Sequence, residues 1–316
     1  MGARANIPGP GSFLKAWSKC LPACLVIMSL TGCGPGPVIV YCSPEGPRVQ
    51  QALEGLQEGL QGAGPLEVVW ARTSREEAQA QFRRLRQRRP RLVVVLGTPA
   101  LMVAAPMERR LPLVFALVAD PYFTGAAYEP DHPEDHQGNV TGVASPPPLA
   151  QALEQGARLL GPRTWGMLYD PNDGVAVELQ DGFLKEAPKF GLKPLTAASL
   201  DGPGDGRALQ QLWDQGARVF YLPPAPSAAR YASLLLAWGR EGRAAVVSSL
   251  PEGEHGGALL WLTLDYRALG REAAGLARRV LAGENPARIP IMTPTPLRIE
   301  VDEGLLRRWC GYPAPR

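Results

Sequence analysis

The sequence lacks a strong charge of either sign, and this balance limits the partners it can have. Its 316 residues include 33 basic and 30 acidic ones, so the net charge is only +3. The one arginine-rich stretch, residues 83–91, falls on a predicted helix with Ala78, Phe82 and Leu85 on its apolar face. No aromatic residues alternate with these arginines to stack on bases, so we expect a solvated helix face and no nucleic-acid partner.

The sequence also lacks the common motifs of enzyme active sites. It has no Gly-x-Ser-x-Gly elbow, no Gly-x-x-x-x-Gly-Lys phosphate loop and no Cys-x-x-Cys pair. His132 and His136 lie among acidic residues and could suggest a metal site, but Pro130 and Pro133 break any helix that would align their rings. The third histidine, His255, is interpreted as bordering a hinge. We expect no metal, no cofactor and no catalysis; a metal-dependent enzyme is the less favoured alternative.

The first 37 residues are predicted to be a targeting segment rather than part of the folded domains. A positively charged leader precedes an apolar run over residues 21–30, which is too short to span a bilayer. The run ends in Leu-Thr-Gly-Cys at residues 30–33, which resembles the lipobox of bacterial lipoproteins. We expect residues 1–32 to be a signal peptide, Cys33 to carry lipid, and residues 33–37 to tether the protein to the membrane surface. An ordinary signal peptide with an incidental cysteine is the alternative.

Two cysteines remain beyond this leader, Cys42 and Cys310. They could pair in an oxidising compartment, and their spacing does not decide the matter. We expect two separate buried thiols.

From residue 38 onward, apolar runs alternate with segments of helical period, which predicts an α/β fold. So many strands favour two Rossmann-like lobes with parallel sheets over one large sheet. The lobes are expected to span residues 38–143 with 256–290, and 144–255 with 291–316, joined by crossings near 139–148, near 253–257 and after 283. The strands expected are 38–41, 66–71, 92–96, 113–118, 165–169, 219–222, 245–248 and 259–264, and the helices 49–60, 74–89, 149–160, 175–190, 207–215, 228–240 and 266–281.

The loop after the strand at 92–96 is the first candidate for ligand binding, because open parallel sheets bind ligands beyond their carboxyl ends. Thr98 can cap the helix that follows, and Gly97 lets the backbone approach a ligand closely. Free amides and the positive end of a helix dipole suit a carboxylate. Many helices begin this way without binding anything.

Two further loops place a carboxylate and an aromatic ring at the mouth of a sheet. Asp120 and Tyr122 follow the strand at 113–118, and Tyr169, Asp170 and Asn172 follow the strand at 165–169. A ring can pack on the apolar part of a solute while a carboxylate or amide orients its polar part. Ordinary turn formation by Asp and Asn beside proline is the alternative.

Several passages together resemble the ABC transporter substrate-binding proteins related to the tryptophan receptor TrpX. They cover most of the chain beyond the leader, and they are residues 93–99, 111–115, 119–121 (Ala-Asp-Pro), 138–143 (Gly-Asn-Val-Thr-Gly-Val), 265–274, 281–283 and 289–290. The resemblance implies a type I periplasmic binding fold, a multi-strand hinge, delivery of a small solute to permease and ATPase subunits, and no catalysis. The ligand contacts it implies are Ser43, Thr98, Asp120, Thr141, Asp170, Asn172 and Ser249.

Two departures from that family bear on the solute. Relatives that bind amino acids tend to carry an Asp-Asn pair where this chain has Pro-Pro-Ala-Pro-Ser at residues 223–227, and the loop at 128–137 is longer than usual. An amino-acid solute is therefore a hypothesis only. We expect an extracytoplasmic, lipid-anchored receptor for a small polar or amphiphilic solute. A sensor that reports the solute to a membrane signalling partner would have the same cleft and is the alternative.

Overall fold

The computed structural model describes residues 36–44, 46–129, 132–199, 202–251, 256–293 and 296–311. The expected signal peptide, the tether up to residue 35 with Cys33, and His255 lie outside these ranges. None of the helices in these ranges has the length and apolar character that a bilayer crossing needs.

The sheet of the first lobe has five strands: β1 (Val38–Cys42), β2 (Leu66–Trp70), β3 (Leu92–Leu96), β4 (Leu113–Val118) and β5 (Val140–Ala144). They run parallel in the order β2-β1-β3-β4-β5. β1, β3 and β5 are buried at every position, as parallel strands covered on both faces should be. Residues 141–143, expected as a crossing strand, form part of the last strand of this sheet.

The sheet of the second lobe has six strands: β6 (Thr164–Tyr169), β7 (Lys193–Ala198), β8 (Val219–Leu222), β9 (Ala245–Ser248), β10 (Leu260–Leu264) and β11 (Leu297–Val301). Their order is β11-β10-β9-β8-β6-β7, and only the β10-β11 pair is antiparallel. The prediction of an α/β fold with two parallel-sheet lobes is confirmed.

The described residues form nine α-helices: α1 (Pro47–Gly59), α2 (Arg75–Gln87), α3 (Thr98–Met107), α4 (Leu149–Leu160), α5 (Gly174–Glu186), α6 (Gly202–Asp214), α7 (Ala229–Arg240), α8 (Tyr266–Leu281) and α9 (Glu303–Trp309). In the first lobe α1 and α8 pack on one face of the sheet, and α2 and α3 on the other. The second lobe has one continuous core built around Trp165, Phe183 and Tyr221. Each lobe therefore buries its own apolar surface.

Three segments connect the lobes. Residues 145–148 join β5 to α4, and Asp265 joins β10 of the second sheet to α8 of the first lobe. This return comes later than the boundary expected near residue 256, because Leu260 and Trp261 pair with β9. In the third segment the Met292 amide donates to the Gly142 carbonyl at 2.9 Å, before the chain enters β11.

The two cysteines are separate free thiols in different lobes. Cys42 is fully buried in β1, and burial raises the pKa of its thiol to about 12. Cys310, at the end of α9, is exposed, so the expectation that both thiols are buried is wrong for this one. The short α9 leaves its last turn at the surface.

Candidate functional site: the cavity between the lobes

A cavity of about 650 Å³ lies where the two sheets present the ends of their strands. Ser43, Gly97 and Ala119 follow β1, β3 and β4, so the first lobe contributes the loops of three neighbouring strands. The second lobe contributes Pro224, after β8, and Val175, in the first turn of α5. This volume is typical of small-molecule sites. We call this space the inter-lobe cavity.

Ser43 and Gly97 form one rigid corner of the inter-lobe cavity. The Ser43 amide donates to the Leu96 carbonyl at 2.7 Å, and its hydroxyl accepts from the Ala100 amide at 3.2 Å. Gly97 has a φ of 97°, and a Cβ at this position would lie 2.3 Å from the Ser43 hydroxyl oxygen. Only glycine satisfies both conditions. The two predicted residues are therefore held against each other at the start of α3.

Thr98 lines the inter-lobe cavity, but it does not cap α3 as expected. Gly97 occupies the cap position, and no side chain of the helix itself caps the first amides. The Ser43 hydroxyl, in the loop after β1, accepts from the Ala100 amide and so caps the start of α3 in place of Thr98. Thr98 is left in the first helical turn, at the cavity wall.

The first-lobe wall contains the starts of two helices. α1 also begins at the inter-lobe cavity: Gly46 and Pro47 line it, and no side chain caps this helix start either. Arg48 lies in the same first turn and also lines the inter-lobe cavity. Among the described lining residues there is no aspartate or glutamate. The positive ends of the two helix dipoles favour a negatively charged group on this side.

Leu117 has a backbone conformation that is costly for a leucine. Its φ is 58°, in the left-handed region, at a point where the register of β4 against β5 shifts. Such a residue costs of the order of 1 kcal/mol relative to ordinary strand backbone. The irregularity brings Leu117 to the wall of the inter-lobe cavity.

Asp120 and Tyr122 lie beside the inter-lobe cavity without lining it. One Asp120 carboxylate oxygen accepts from the Tyr122 amide at 2.8 Å and from the Phe123 amide at 3.0 Å. This is the turn chemistry that the sequence left open as the alternative. The Tyr122 ring packs partly against the core of the first lobe. Asp120 itself is exposed, next to the lining residue Ala119.

The Asp170 carboxylate forms its bonds with residues of its own lobe, the second. Its carboxylate accepts from the Asn172 amide at 2.8 Å and pairs with the Arg230 guanidinium at 2.8 Å. The Asn172 amide, and then Arg230, outweigh the effect of burial and hold the pKa of Asp170 below its ordinary value. Tyr169 is half-buried against the core, and Asn172 is exposed. None of the three lines the inter-lobe cavity.

Three charged residues near these strand ends were not among the predicted site residues. Arg230, in the first turn of α7, also donates to the Ser199 hydroxyl at 3.0 Å. Asp173 caps α5 and accepts from the Ser227 amide at 2.9 Å, and Arg48 opens α1. A signal was present, because each lies at a helix start that follows a strand.

Thr141 and Ser249 do not reach the inter-lobe cavity. Both are fully buried. The Thr141 hydroxyl donates to the Ile289 carbonyl at 2.9 Å, which ties β5 to the third connection between the lobes. The Ser249 amide donates to the Leu222 carbonyl at 2.9 Å, and its hydroxyl lies beside the hydroxyl of Tyr221. Neither position agrees with the direct ligand contact that the resemblance implies.

The two histidines of the acidic loop have different surroundings. His132 is exposed, with its ring nitrogen 3.2 Å from a Glu134 oxygen, whereas His136 is buried beside the Gln137 carbonyl. In the described part of the chain, no three potential ligands of the types His, Cys, Asp and Glu cluster to hold a metal ion.

Two parallel-sheet lobes with three connections and a cavity between the sheet ends are the fold of the type I periplasmic binding proteins. The chain belongs to the ABC transporter substrate binding protein family, whose model matches residues 38–304. The proteins that share this family and fold are solute-binding proteins of transport systems rather than enzymes. No curated protein sequence matches the chain.

Solved structures show the same fold at low sequence identity. A substrate binding protein with adhesive properties from Clostridium difficile, in its ligand-free open form, has a TM-score of 0.73 at 19% identity, covering 89% of this chain and 96% of that one. An ABC domain in complex with L-Trp from Streptococcus pneumonia has a TM-score of 0.63 at 20% identity, covering 88% and 96%. A periplasmic ribose ABC transporter protein from Conexibacter woesei has a TM-score of 0.62 at 15% identity, covering 88% and 95%.

Proposed function

We propose that this chain is the extracytoplasmic receptor of an ABC-type uptake transporter and binds a small polar or amphiphilic solute in the inter-lobe cavity. The observation that carries the proposal is the position of that cavity, of about 650 Å³, between the strand ends of both lobes. Ser43 and Thr98 come from the first lobe, and Val175 and Pro224 from the second. A solute held between them contacts both lobes only when they close, so binding favours the closed form. Permease subunits then recognise that closed shape.

A thermal-shift screen of the purified protein tests this proposal. The library contains amino acids, nucleosides, sugars and organic acids, since any tight ligand raises the unfolding temperature by mass action. We expect at least one class to raise it and to compact the protein in small-angle X-ray scattering. Failure of every class to do so, at millimolar concentration, contradicts a solute receptor.

Replacing Thr98 by phenylalanine is expected to weaken binding of the best ligand by about ten-fold or more, because the ring fills space beside the start of α3. The unfolding temperature without ligand should hardly change, since Thr98 is only partly buried at the cavity wall. Isothermal titration measures the affinity. Val177→Phe, on the exposed face of α5 outside the lining, is the control and should keep the affinity of the unaltered protein. Equal affinity in both variants would place the solute elsewhere.

The lipid anchor is a second part of the proposal and rests on the Leu-Thr-Gly-Cys sequence at residues 30–33. Lipid on Cys33 would hold the receptor at the membrane surface without a spanning helix. The test is metabolic labelling of the whole protein with a radioactive fatty acid in a bacterial host. Label is expected in the unaltered chain and not in Cys33→Ser, while Cys42→Ser should still be labelled.

A further inference from the structure

The first described residue, Gly36, is packed beside the end of α2 in the first lobe. A Cβ added to Gly36 would lie 2.2 Å from the Arg89 carbonyl oxygen, and the Arg91 amide donates to the Pro37 carbonyl at 3.1 Å. This contact lies where β1 and β3 begin, at the edge of the first sheet opposite to the inter-lobe cavity. Three peptide units join Gly36 to Cys33, and extended backbone of that length covers at most about 11 Å. Lipid on Cys33 would therefore keep this edge next to the membrane surface.

Four arginines without partners lie towards the same edge. Arg83 and Arg84 are in the last two turns of α2, Arg89 follows that helix, and Arg110 is in the loop before β4. All four are exposed, and their side chains form no hydrogen bond or ion pair with any residue that the structure describes. We call these four residues the basic edge. Their charges are available to an external partner.

Nearby acidic residues do not neutralise the basic edge. Glu67 pairs with Arg88, and Glu108 pairs with Arg86 at 2.6 Å. The two glutamates of α2 lie in its first turn, at the opposite end of the helix. The net charge of +3 equals the three basic residues of the expected signal peptide, which has no acidic residue, so the remaining chain has no net charge. The positive charge of the basic edge is therefore a local feature.

From these observations, and resting on the lipid anchor of the proposed function, we infer that the basic edge docks on a membrane surface that contains anionic lipid. Its guanidinium groups donate to phosphate oxygens of the headgroups. Each arginine near such a surface strengthens the attraction about five-fold, and the attraction fades beyond about 10 Å at 0.1 M salt, so a short tether is needed. Docking in this way directs the inter-lobe cavity away from the bilayer, where it can collect solute before the receptor meets its permease.

Quenching of a dye by lipids with a nitroxide on the headgroup tests the inference, because it needs near contact. The lipidated protein carries Cys310→Ser, which removes the exposed thiol, and takes the dye at Gln87→Cys or, at the other end of α2, at Thr73→Cys; Cys42 is fully buried. It is reconstituted in phosphatidylcholine vesicles with or without phosphatidylglycerol. We expect phosphatidylglycerol to raise quenching at residue 87 about two-fold or more and to leave residue 73 unchanged, and about 1 M salt to abolish the difference.

A charge-matched pair of double variants assigns the contact. Arg84→Gln with Arg89→Gln is expected to abolish the effect of phosphatidylglycerol, because the two arginines together strengthen the attraction about thirty-fold. Arg72→Gln with Arg75→Gln removes the same charge from the other end of α2, where both residues are exposed, and should keep the effect.

Equal quenching at residue 87 in both kinds of vesicle overturns the inference and leaves the basic edge to a protein partner such as a permease subunit. Equal loss in the two double variants also overturns it, because the attraction would then come from the charge of the whole chain. Neither result contradicts the solute receptor, which the thermal-shift screen tests, and fatty-acid labelling shows separately whether Cys33 carries lipid.

Discussion

Replacing Gly270 by alanine should destabilise the protein by about 3 kcal/mol, at the upper end of the usual range for overpacking. Gly270 lies on α8 where it crosses α1, and a Cβ added there would lie 2.0 Å from the Ala52 carbonyl oxygen. Gly55 makes the opposite contact, since its Cβ would lie 1.9 Å from the Arg267 carbonyl oxygen. Because both obstacles are backbone atoms, neither can rotate away, and the helices would have to separate.

Gly275 provides a control on the same helix. An added Cβ at Gly275 meets nothing within 4 Å, and the residue is exposed. Gly275→Ala should therefore stabilise the protein by roughly 0.5–1 kcal/mol, because alanine restricts the unfolded chain and favours a helix. Urea unfolding followed by circular dichroism measures both variants. Changes of the same sign would mean that α1 and α8 do not pack as closely as the structure shows.

The central strands were predictable from the sequence because they are buried on both faces. β3, β4, β8 and β9 have the bounds that the apolar runs predict, and β1 and β10 differ by one residue. β7 and β11 were not predicted. They lie at the two edges of the second sheet, and their half-exposed residues give no continuous apolar run. These two edge strands are specified by the pairing of their backbone, which a search for apolar runs does not detect.

The candidate site was predictable to the extent that it follows from topology. Ser43, Gly97 and Thr98 line the inter-lobe cavity because the loops after parallel strands meet at one edge of a sheet. Ser249 follows the same rule by position, directly after β9, whereas Thr141 lies inside β5, and both residues are buried away from the cavity. The sequence pattern does not show whether the hydroxyl of such a residue faces the cavity or the protein interior. That choice depends on packing, as in the bond from Thr141 to the Ile289 carbonyl.

Arg48 lines the inter-lobe cavity, but it was not among the predicted site residues. It precedes the expected helix at residues 49–60, because the apolar period begins only at Val49. α1 in fact begins at Pro47, a residue favoured in the first turn, and this places Arg48 in that turn at the inter-lobe cavity. The proline was the available signal for an earlier helix start, and with it for a cation in the site.

Replacing Glu108 by alanine should destabilise the protein by about 2–3 kcal/mol, the scale of lost hydrogen bonds to a charged group. Glu108 is 4% exposed at the end of α3. One carboxylate oxygen accepts from the amides of Arg109, Arg110 and Leu111 at 2.9, 2.8 and 3.1 Å, and the other pairs with Arg86 at 2.6 Å. These bonds hold the chain between α3 and β4, and alanine replaces none of them. Urea unfolding at pH 7 measures the loss.

The Glu108→Gln variant separates the charge of this carboxylate from its shape. Burial by itself would raise the pKa of Glu108, but the three amides and Arg86 outweigh it and hold the pKa below its ordinary value. Between the folded and unfolded pKa values the unfolded chain binds more protons, so stability rises with pH in that interval and is lost as pH falls through the folded pKa.

At pH 7 the glutamine variant should therefore be less stable than the unaltered protein by about 1–2 kcal/mol, and the difference should shrink as pH falls below about 4.3, the ordinary value for glutamate. Glu154→Gln, which breaks an exposed pair with Arg158, should change stability by only about 0.3–0.5 kcal/mol at pH 7 and by less in acid. A difference between Glu108→Gln and the unaltered protein that persists undiminished at pH 3 would show that the stabilisation comes from shape, because the protonated glutamate would then still hold the amides as the carboxylate does.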